Sequence, residues 1–358
     1  MTAQIGITAA GDPRDGKTWS GTPKALVNAA EALGKPVVTF SGQHSGKYDN
    51  IHYLPTILRH GMGARRFRHY FGPSFRKNVT EYAIRREAYP DIPFLHTDHL
   101  WLDPARADRK DFLFRDCGWS SWAQSRGLSV PLTQEIGRRY AALLNRVGHI
   151  FTTSEWAKNE LIMDGARPEA VTVVGTGVGN LIKPYFGSKD YTSGITLCVA
   201  KVRHHDKGID LLVEGFRLAR RQRPELSLHL VVPPNSIKQA PGLHLYSSLP
   251  AADLISLYQK APLFAMPARN EPYGLVYREA QLAGMALLGS ARAAFPEFAA
   301  HGESGFIVKE LTAEAVAQAL LDAHGNPDGL RSMGHLGREA AVSATWENTM
   351  EAILERMT

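Results

Sequence analysis

The chain has 358 residues, 44% hydrophobic and 21% charged, with 32 glycines, 21 prolines and a formal net charge of +6. That length allows two ordinary domains with real cores or one large one, and no window approaches the ~20 apolar residues of a transmembrane helix. Two cysteines, Cys117 and Cys198, lie in regions that read as different halves, which argues against a disulfide framework and for a reducing, cytoplasmic setting. The opening "MTAQIGITAAGDPRDGK" has no basic stretch followed by a long apolar run, so no signal peptide is expected.

Short β-rich runs alternate with helical ones almost throughout, the pattern of an α/β architecture with parallel sheets. "QIGITAA" opens as a strand, and "TPKALVNAAEALG" follows as a helix with Thr22 as N-cap, Pro23 at its first position and Gly34 ending it. "KPVVTF", "IPFLHT", "DFLFRD" and "GHIFTTS" read as further strands, "EWAKNELIMDG" as a helix, and "AVTVVGTGVG" closes this half. The polar "KPYFGSKDYTSG" (183–194) reads as an interdomain linker. A second alternation runs from "ITLCVAKV" through "GIDLLVEGFRLARRQ", "LSLHLVV", "LHLYS", "AADLISLYQKA" and "PLFAMPA" to "MALLGSA", "GFIVKE" and "TAEAVAQALLDAH", and the helical "WENTMEAILERM" ends the chain. The expected organisation is a Rossmann-like domain over 1–182, the linker, a second Rossmann-like domain over 195–340, and a C-terminal helix over 341–358 that packs back toward the first domain. Two such halves place a cleft at the carboxyl ends of both sheets.

The surplus charge is local. Residues 58–90 hold Arg59, Arg65, Arg66, Arg68, Arg76, Lys77, Arg85 and Arg86 against Glu81 and Glu87, so the stretch carries 8 − 2 = +6 and the rest of the chain is formally neutral. Phe67, Tyr70, Phe71, Phe75 and Tyr82 are interleaved with those bases. The pattern suits an anionic surface or acceptor, with a solvated helix face as the plain reading. A nucleic-acid binder using this stretch is a weaker alternative, and no nucleic-acid partner is expected.

Two glycine motifs mislead. "GDPRDGKT" (11–18) matches G-x-x-x-x-G-K-[ST] after a strand. A phosphate cradle needs its helix to begin at the Gly-Lys-Thr, so that N–H groups and dipole face the phosphates. Here "WSG" intervenes, the helix signal starts at Thr22-Pro23, and Asp12 and Asp15 would place two negative charges in the cradle. A P-loop NTPase is therefore a minor alternative. "GTGVG" (175–179) mimics a dinucleotide fingerprint, but Asn180 stands where the third glycine belongs and Lys183-Pro184 prevents a following helix.

A better-supported constellation lies in the second half. Glu271 and Glu279 are eight residues apart, with Pro272 and Gly274 between them. Asn270-Glu271-Pro272 reads as loop and Leu275-Val276-Tyr277-Arg278-Glu279-Ala280 as the first turns of a helix. Glu271 then sits just outside a helix N-terminus and Glu279 inside it. The N–H groups of Tyr273, Gly274 and Leu275, with the helix dipole, would meet a diphosphate. Lys201, Arg203 and Lys207 occupy a loop between a strand and a helix, a cluster of cations suited to the same anion. Glu279 can accept from two vicinal hydroxyls, as a ribose presents, and Glu271 from the hydroxyls of a sugar.

These segments resemble the retaining glycosyltransferases of the GT-B fold, glycosyltransferase family 4, over nearly the whole chain. "NEPYGLVYREAQLAGMALLGS" resembles that family's E-x7-E segment, with Glu271 and Glu279 at the acidic positions, and "AAFPEFAAHGESGFIV" resembles its continuation, with Glu297. "VAKVRHHDKGIDLLVEGF" is similar to the donor-phosphate loop. Lys207 matches the family lysine, whereas Lys201 stands where arginine is usual; the charge is kept, the bidentate fork is lost, and Lys201 versus Arg203 stays open. "WSGT" (19–22) looks like the glycine loop after the first strand, which makes Gly21 a donor-side and Trp19 an acceptor-side candidate. "TTSEWAKNEL" and "VTVVGTGVGN" resemble the end of that half. The resemblance implies a nucleotide-diphosphate sugar as co-substrate, an unknown acceptor held by the first half, and transfer with retention. It implies no metal or other cofactor, and the chain has no D-x-D triplet. Asp116 is the candidate carboxylate near the reacting sugar beside Glu271 and Lys207, with His96 or His99 as second choices. Because family members act on lipid-linked or membrane-borne acceptors, an anionic membrane face is a natural partner for residues 58–90. A GT-B-fold epimerase or phosphorylase is the alternative enzyme.

Overall fold

The computed structural model describes residues 4–42, 54–60, 73–98, 102–179, 181–200, 205–299 and 303–357. The chain divides into two compact units, Met1–Gly177 with Thr345–Thr358, and Val178–Ala344. In the first, β1 (Ile5–Ala10), β2 (Val37–Gly42), β3 (Phe94–His96), β4 (Asp111–Arg115), β5 (His149–Thr152) and β6 (Val171–Val173) form one parallel sheet in the order β2-β1-β3-β4-β5-β6. Its helices are α1 (Thr22–Ala32), α2 (Leu54–His60), α3 (Pro73–Ala88), α4 (Trp119–Ser125), α5 (Val130–Leu144) and α6 (Glu155–Met163). Phe94, Leu113 and Ile150 from the central strands are fully buried with Trp119, Tyr140 and Leu161 of the helices. Strands covered on both faces read as continuous apolar runs, which is why these short stretches stood out. Gly21, in a left-handed conformation, caps α1 in place of the expected Thr22, which is its first helical residue.

The second unit holds β7 (Ile195–Val199), β8 (Ser227–Val231), β9 (Leu243–Tyr246), β10 (Leu263–Met266), β11 (Ala286–Ser290) and β12 (Gly305–Val308), all parallel, in the order β12-β11-β10-β7-β8-β9. Its helices are α7 (Ile209–Gln222), α8 (Ala251–Lys260), α9 (Leu275–Leu282), α10 (Phe295–Phe298), α11 (Ala313–Gly325) and α12 (Pro327–Val342). The strand order is that of a doubly wound dinucleotide fold, and it reverses between β7 and β10. β10 and β11 are buried at every position. The last helix, α13 (Trp346–Met357), returns to the first unit and packs on α1 and β5. Among the described residues no helix is long and apolar enough to cross a membrane.

Residues 183–194, read from composition as a linker, lie inside the second unit. Tyr191 is buried in its core and donates to the Gly284 carbonyl at 2.8 Å, and Lys189 Nζ donates to the carbonyls of Tyr258, Gln259 and Ala261 at 2.7–2.8 Å. Polar composition was a poor guide because a lysine can close the C-terminus of a neighbouring helix, here α8. The helix α12 was also missed. It carries Gly329, Gly334 and Gly337, each costing about 1 kcal/mol of helix propensity. Tertiary contact accounts for two of them: a Cβ on Gly334 would collide with the Gly284 carbonyl, and one on Gly337 would come within 3.0 Å of the Gln281 side chain.

The basic stretch 58–90 is partly spent in packing. Tyr82 is buried and donates to Asp111 at 2.5 Å, Phe75 lies under the Arg139 guanidinium at 4.4 Å, and Arg86 covers Phe94 and donates to the Tyr89 carbonyl. Lys77 pairs with Glu81 one turn on. Arg76, Lys77 and Arg85 are exposed. Arg65, Arg66, Arg68, Phe67, Tyr70 and Phe71 lie outside the described residues. The two cysteines are free and buried, one in each unit.

His324 of α11 is buried and shares a 2.8 Å hydrogen bond with the Thr196 hydroxyl. Burial, helped by the Arg223 charge, lowers its pKa to about 4. The unfolded chain takes up this proton near pH 6.5 and the folded chain only near 4, so the stability at stake is intact above 6.5 and declines as the pH falls between those values. At pH 5 the loss from this one group should be about 2 kcal/mol. Urea unfolding at pH 7 and pH 5 should show a clear drop in midpoint for the wild type and a smaller one for His324→Gln; parallel drops in both would refute the assignment.

Candidate functional site

The reversal of strand order in the second sheet opens the loops after β7 and β10 side by side, and these loops hold the predicted residues. Residues 205–208 lead into α7, and residues 267–274 lead into α9. The Asp206 carbonyl accepts from both Arg269 N (2.7 Å) and Asn270 N (3.0 Å). Arg269 also donates to the His205 carbonyl and makes a two-point contact with Asp210 in the first turn of α7, at 2.6 and 2.7 Å. Gly208, at φ +68°, caps α7 in a left-handed conformation, and a Cβ there would run into the Pro267 carbonyl. Only glycine satisfies both demands.

This staple brings Lys207 and Glu271 together. The Lys207 ammonium donates to the Glu271 carboxylate in an ion pair whose side chains are 12% and 14% exposed. Three residues on, Gly274 at φ +86° caps α9, with no side-chain cap on that helix. α9 begins at Leu275, as its sequence predicted, so Tyr273, Gly274 and Leu275 stand at its N-terminus and Glu279 lies in its second turn. Tyr277 anchors the helix by donating to the Met266 carbonyl at the end of β10. Glu279 is half-buried, accepts from Tyr258 OH at 3.3 Å, and lies so close to Gly179 that a Cβ there would collide with it. The third glycine of "GTGVG" is thus a seat for a carboxylate of the same unit. Its negative charge, after burial, pushes the Tyr258 hydroxyl well up.

The end of β11 and the loop after it are tied to the loop after β10: Ala294 N donates to the Pro272 carbonyl at 3.2 Å, and Ser290 Oγ to the Ala268 carbonyl. Glu297 follows in the first turn of α10, exposed. Asp206, Arg269 and Ala294 were missed because their work is done by backbone groups or by bracing, which leaves no composition signal. Lys201 and Arg203 lie outside the described residues.

The candidates of the first unit are more scattered. Asp116 is half-buried just past β4, and the neighbouring Cys117 thiol is pushed up by burial and then by the Asp116 charge. Trp19 packs edge-on against Phe114 of β4 at 6.1 Å between ring centroids. Trp19, Ser20 and Gly21 follow one another at φ +39°, +56° and +84°. For the two non-glycine residues this costs about 1–2 kcal/mol each. His96 is different from what its position promised. It is fully buried, sharing hydrogen bonds with Thr8 Oγ1 (2.8 Å) and Asp111 (3.0 Å), so it has no surface to present to an acceptor. Burial acts to raise the Asp111 pKa, but His96, Tyr82 and the Asp108 N–H outweigh it and hold the carboxylate below its usual range. His99 lies outside the described residues.

The P-loop lookalike makes no cradle. The Asp12 carboxylate accepts from Arg14 N and that of Asp15 from Lys17 N, both at 2.9 Å, so the acids occupy the loop's own donors. Lys17 is exposed and α1 begins only at Thr22.

Ala293, in the loop after β11, holds φ +51°. Ala293→Gly should relieve about 1 kcal/mol of backbone strain and raise the melting temperature. Gly208→Ala should lower it, through both the left-handed φ and the Pro267 collision. Unchanged melting in both variants would contradict the loop geometry.

Residues 193–326 match the family described as glycosyl transferases group 1. A curated relative, the D-inositol 3-phosphate glycosyltransferase of Corynebacterium urealyticum, is 33% identical over 106 residues, which is 30% of this chain and 25% of that protein. The match thus spans about a quarter of that relative's length. Among solved structures, sucrose-phosphate synthase from Thermosynechococcus elongatus is similar with a TM-score of 0.74 at 15% identity, over 99% of this chain and 98% of that one. Anabaena Alr3699/HepE in complex with UDP-glucose is similar with a TM-score of 0.68 at 14% identity, over 99% of each chain. At such identities these likenesses speak for the fold alone. Residues 193–326 thus match the glycosyl transferases group 1 model, and the whole chain shares the two-sheet α/β fold of these solved structures.

Proposed function

We propose that this chain is a retaining glycosyltransferase that moves a sugar from a nucleoside-diphosphate sugar to an acceptor hydroxyl without a metal ion. The observation that carries the reading is the Lys207–Glu271 ion pair, stapled at the switch point of the second sheet beside the N-terminus of α9, which has no side-chain cap. Lys207, the N–H groups at the start of α9, and Lys201 or Arg203 of the same loop neutralise the diphosphate. Glu279, braced by Tyr258, accepts from the vicinal hydroxyls of the ribose. Glu271 accepts from a sugar hydroxyl while holding Lys207 in place.

In the step itself the acceptor oxygen bonds to the anomeric carbon on the face the diphosphate leaves. The carbon–oxygen bond to the diphosphate breaks, and a departing diphosphate oxygen takes the acceptor's proton. In the first unit Asp116 is the candidate carboxylate near the reacting sugar, Trp19 the acceptor-side candidate and Gly21 the donor-side candidate. The UDP-glucose held by the HepE structure makes UDP-sugars the first donors to test, and the name of the inositol-phosphate relative makes a phosphorylated polyol the first acceptor. For the exposed Arg76, Lys77 and Arg85 of the basic stretch, we propose contact with an anionic membrane face.

A thermal-shift panel of UDP-, GDP- and ADP-sugars identifies the donor; one present at a hundred times its Kd should stabilise by about 2.7 kcal/mol. Glu271→Ala should cut turnover at least tenfold in a folded protein, and Glu279→Ala should mainly weaken donor binding. Full activity in both variants would defeat the site assignment. Lys207→Ala should weaken donor and free nucleoside diphosphate alike while Lys17→Ala changes neither; the reverse pattern would restore the NTPase reading. Transfer should survive EDTA, and a large loss would mean metal-dependent chemistry. Co-sedimentation should be strong with anionic vesicles at low salt and weak at high salt, and equal recovery on neutral vesicles would remove the membrane from the account.

A further inference from the structure

The second unit contains a cavity of about 230 Å³ between residues 185–191 and α12. α9 starts at the switch-point loops and runs about 12 Å at 1.5 Å per residue. Ala283, which lines this cavity, follows its last residue, so the cavity lies at the amino edge of the sheet, away from Lys207 and Glu271. Its other walls are cationic and aromatic. Arg331, His335 and Arg338 sit at i, i+4 and i+7 on α12, which puts them on one face. Arg338 is fixed: it donates to the Tyr185 carbonyl at 2.7 Å and lies 4.7 Å over the Phe186 ring. Arg331 lies 5.8 Å over the Tyr191 ring and meets Asp328 at its exposed side. Lys189, also in the lining, is fixed on its three carbonyls. Among the described residues that line the cavity there is no carboxylate. Burial, then the Arg338 charge, lowers the Lys189 pKa to about 7.

We propose that this cavity is a second anion site, separate from the donor site, that takes the phosphate group of a phosphomonoester. Arg331 and Arg338 present planar donors suited to phosphate oxygens, His335 adds a third donor on the same helix face, and Lys189, held on its carbonyls, adds positive charge to the lining. The volume equals about eight water molecules at about 30 Å³ each, room for a phosphate and a small part of what carries it. The carrier is either a soluble metabolite or a lipid headgroup.

Inorganic phosphate titrated into the full chain by calorimetry at low salt tests the site in three proteins: wild type, Lys207→Ala and the double variant Arg331→Ala/His335→Ala. Both residues of the double variant are exposed, and an unchanged melting temperature verifies its fold. Wild type and Lys207→Ala should bind phosphate equally, and the double variant at least tenfold more weakly. Absence of saturable binding, binding that survives in the double variant, or binding lost in Lys207→Ala overturns the proposal, the last because it assigns the phosphate to the donor loop. Glycerol phosphate and phosphatidic-acid vesicles then separate the sources. Tighter binding of the first marks a metabolite and of the second a membrane, each supporting the site only if the double variant loses it.

Discussion

One carbonyl organises the second unit. The oxygen of Asp206 accepts two consecutive N–H groups, those of Arg269 and Asn270, and so joins the loop after β7 to the loop after β10. The joint works because Gly208 has no Cβ to strike the Pro267 carbonyl, and because Arg269 reaches back to Asp210 with both arms of its guanidinium. Remove the staple and Lys207 and Glu271, 64 residues apart in the chain, have nothing to hold them face to face. Their pairing is costly to desolvate on its own, since burying charge is repaid only in good geometry. The loops supply that geometry.

A consequence concerns charge. Glu271 partly neutralises the cation that the donor diphosphate would use, so the site keeps one negative group beside its positive ones. An arrangement made only for anion affinity would omit it. Its presence fits a carboxylate that orients an ammonium and recognises hydroxyls, with the N-terminus of α9 supplying further positive potential through backbone dipoles. The second cationic cavity has the opposite composition: its arginines and lysine are braced by carbonyls and aromatic rings, and none of the described residues that line it is an acid.

The first unit spends its polar residues differently. Thr8, His96, Asp111 and Tyr82 form a closed network inside the sheet, each satisfying the next, as buried polar groups must. Its strain is stored at Trp19 and Ser20, on the loop that leaves β1. Left-handed non-glycine residues persist only where the surroundings over-determine them, and here the edge contact of Trp19 with Phe114 is part of that restraint.

Much of this was legible in the residues alone. The alternation of apolar strands and helices is a local property, written within a few residues at a time, and it specified two parallel sheets. The Pro-Tyr-Gly break before Leu275 likewise set where α9 starts and which side of that start each glutamate takes. What the sequence could not state was anything depending on strand order. That order decided which loops meet, that His96 is sealed beside Asp111, that "GTGVG" ends by seating Glu279, and that Tyr191 of the polar segment 183–194 is buried in the core. It also made a helix of the glycine-bearing α12, whose propensity argues against one, by packing it where a side chain would not fit. Periodicity and capping act over three or four residues, whereas these contacts join residues tens of positions apart, and only the folded backbone carries that information.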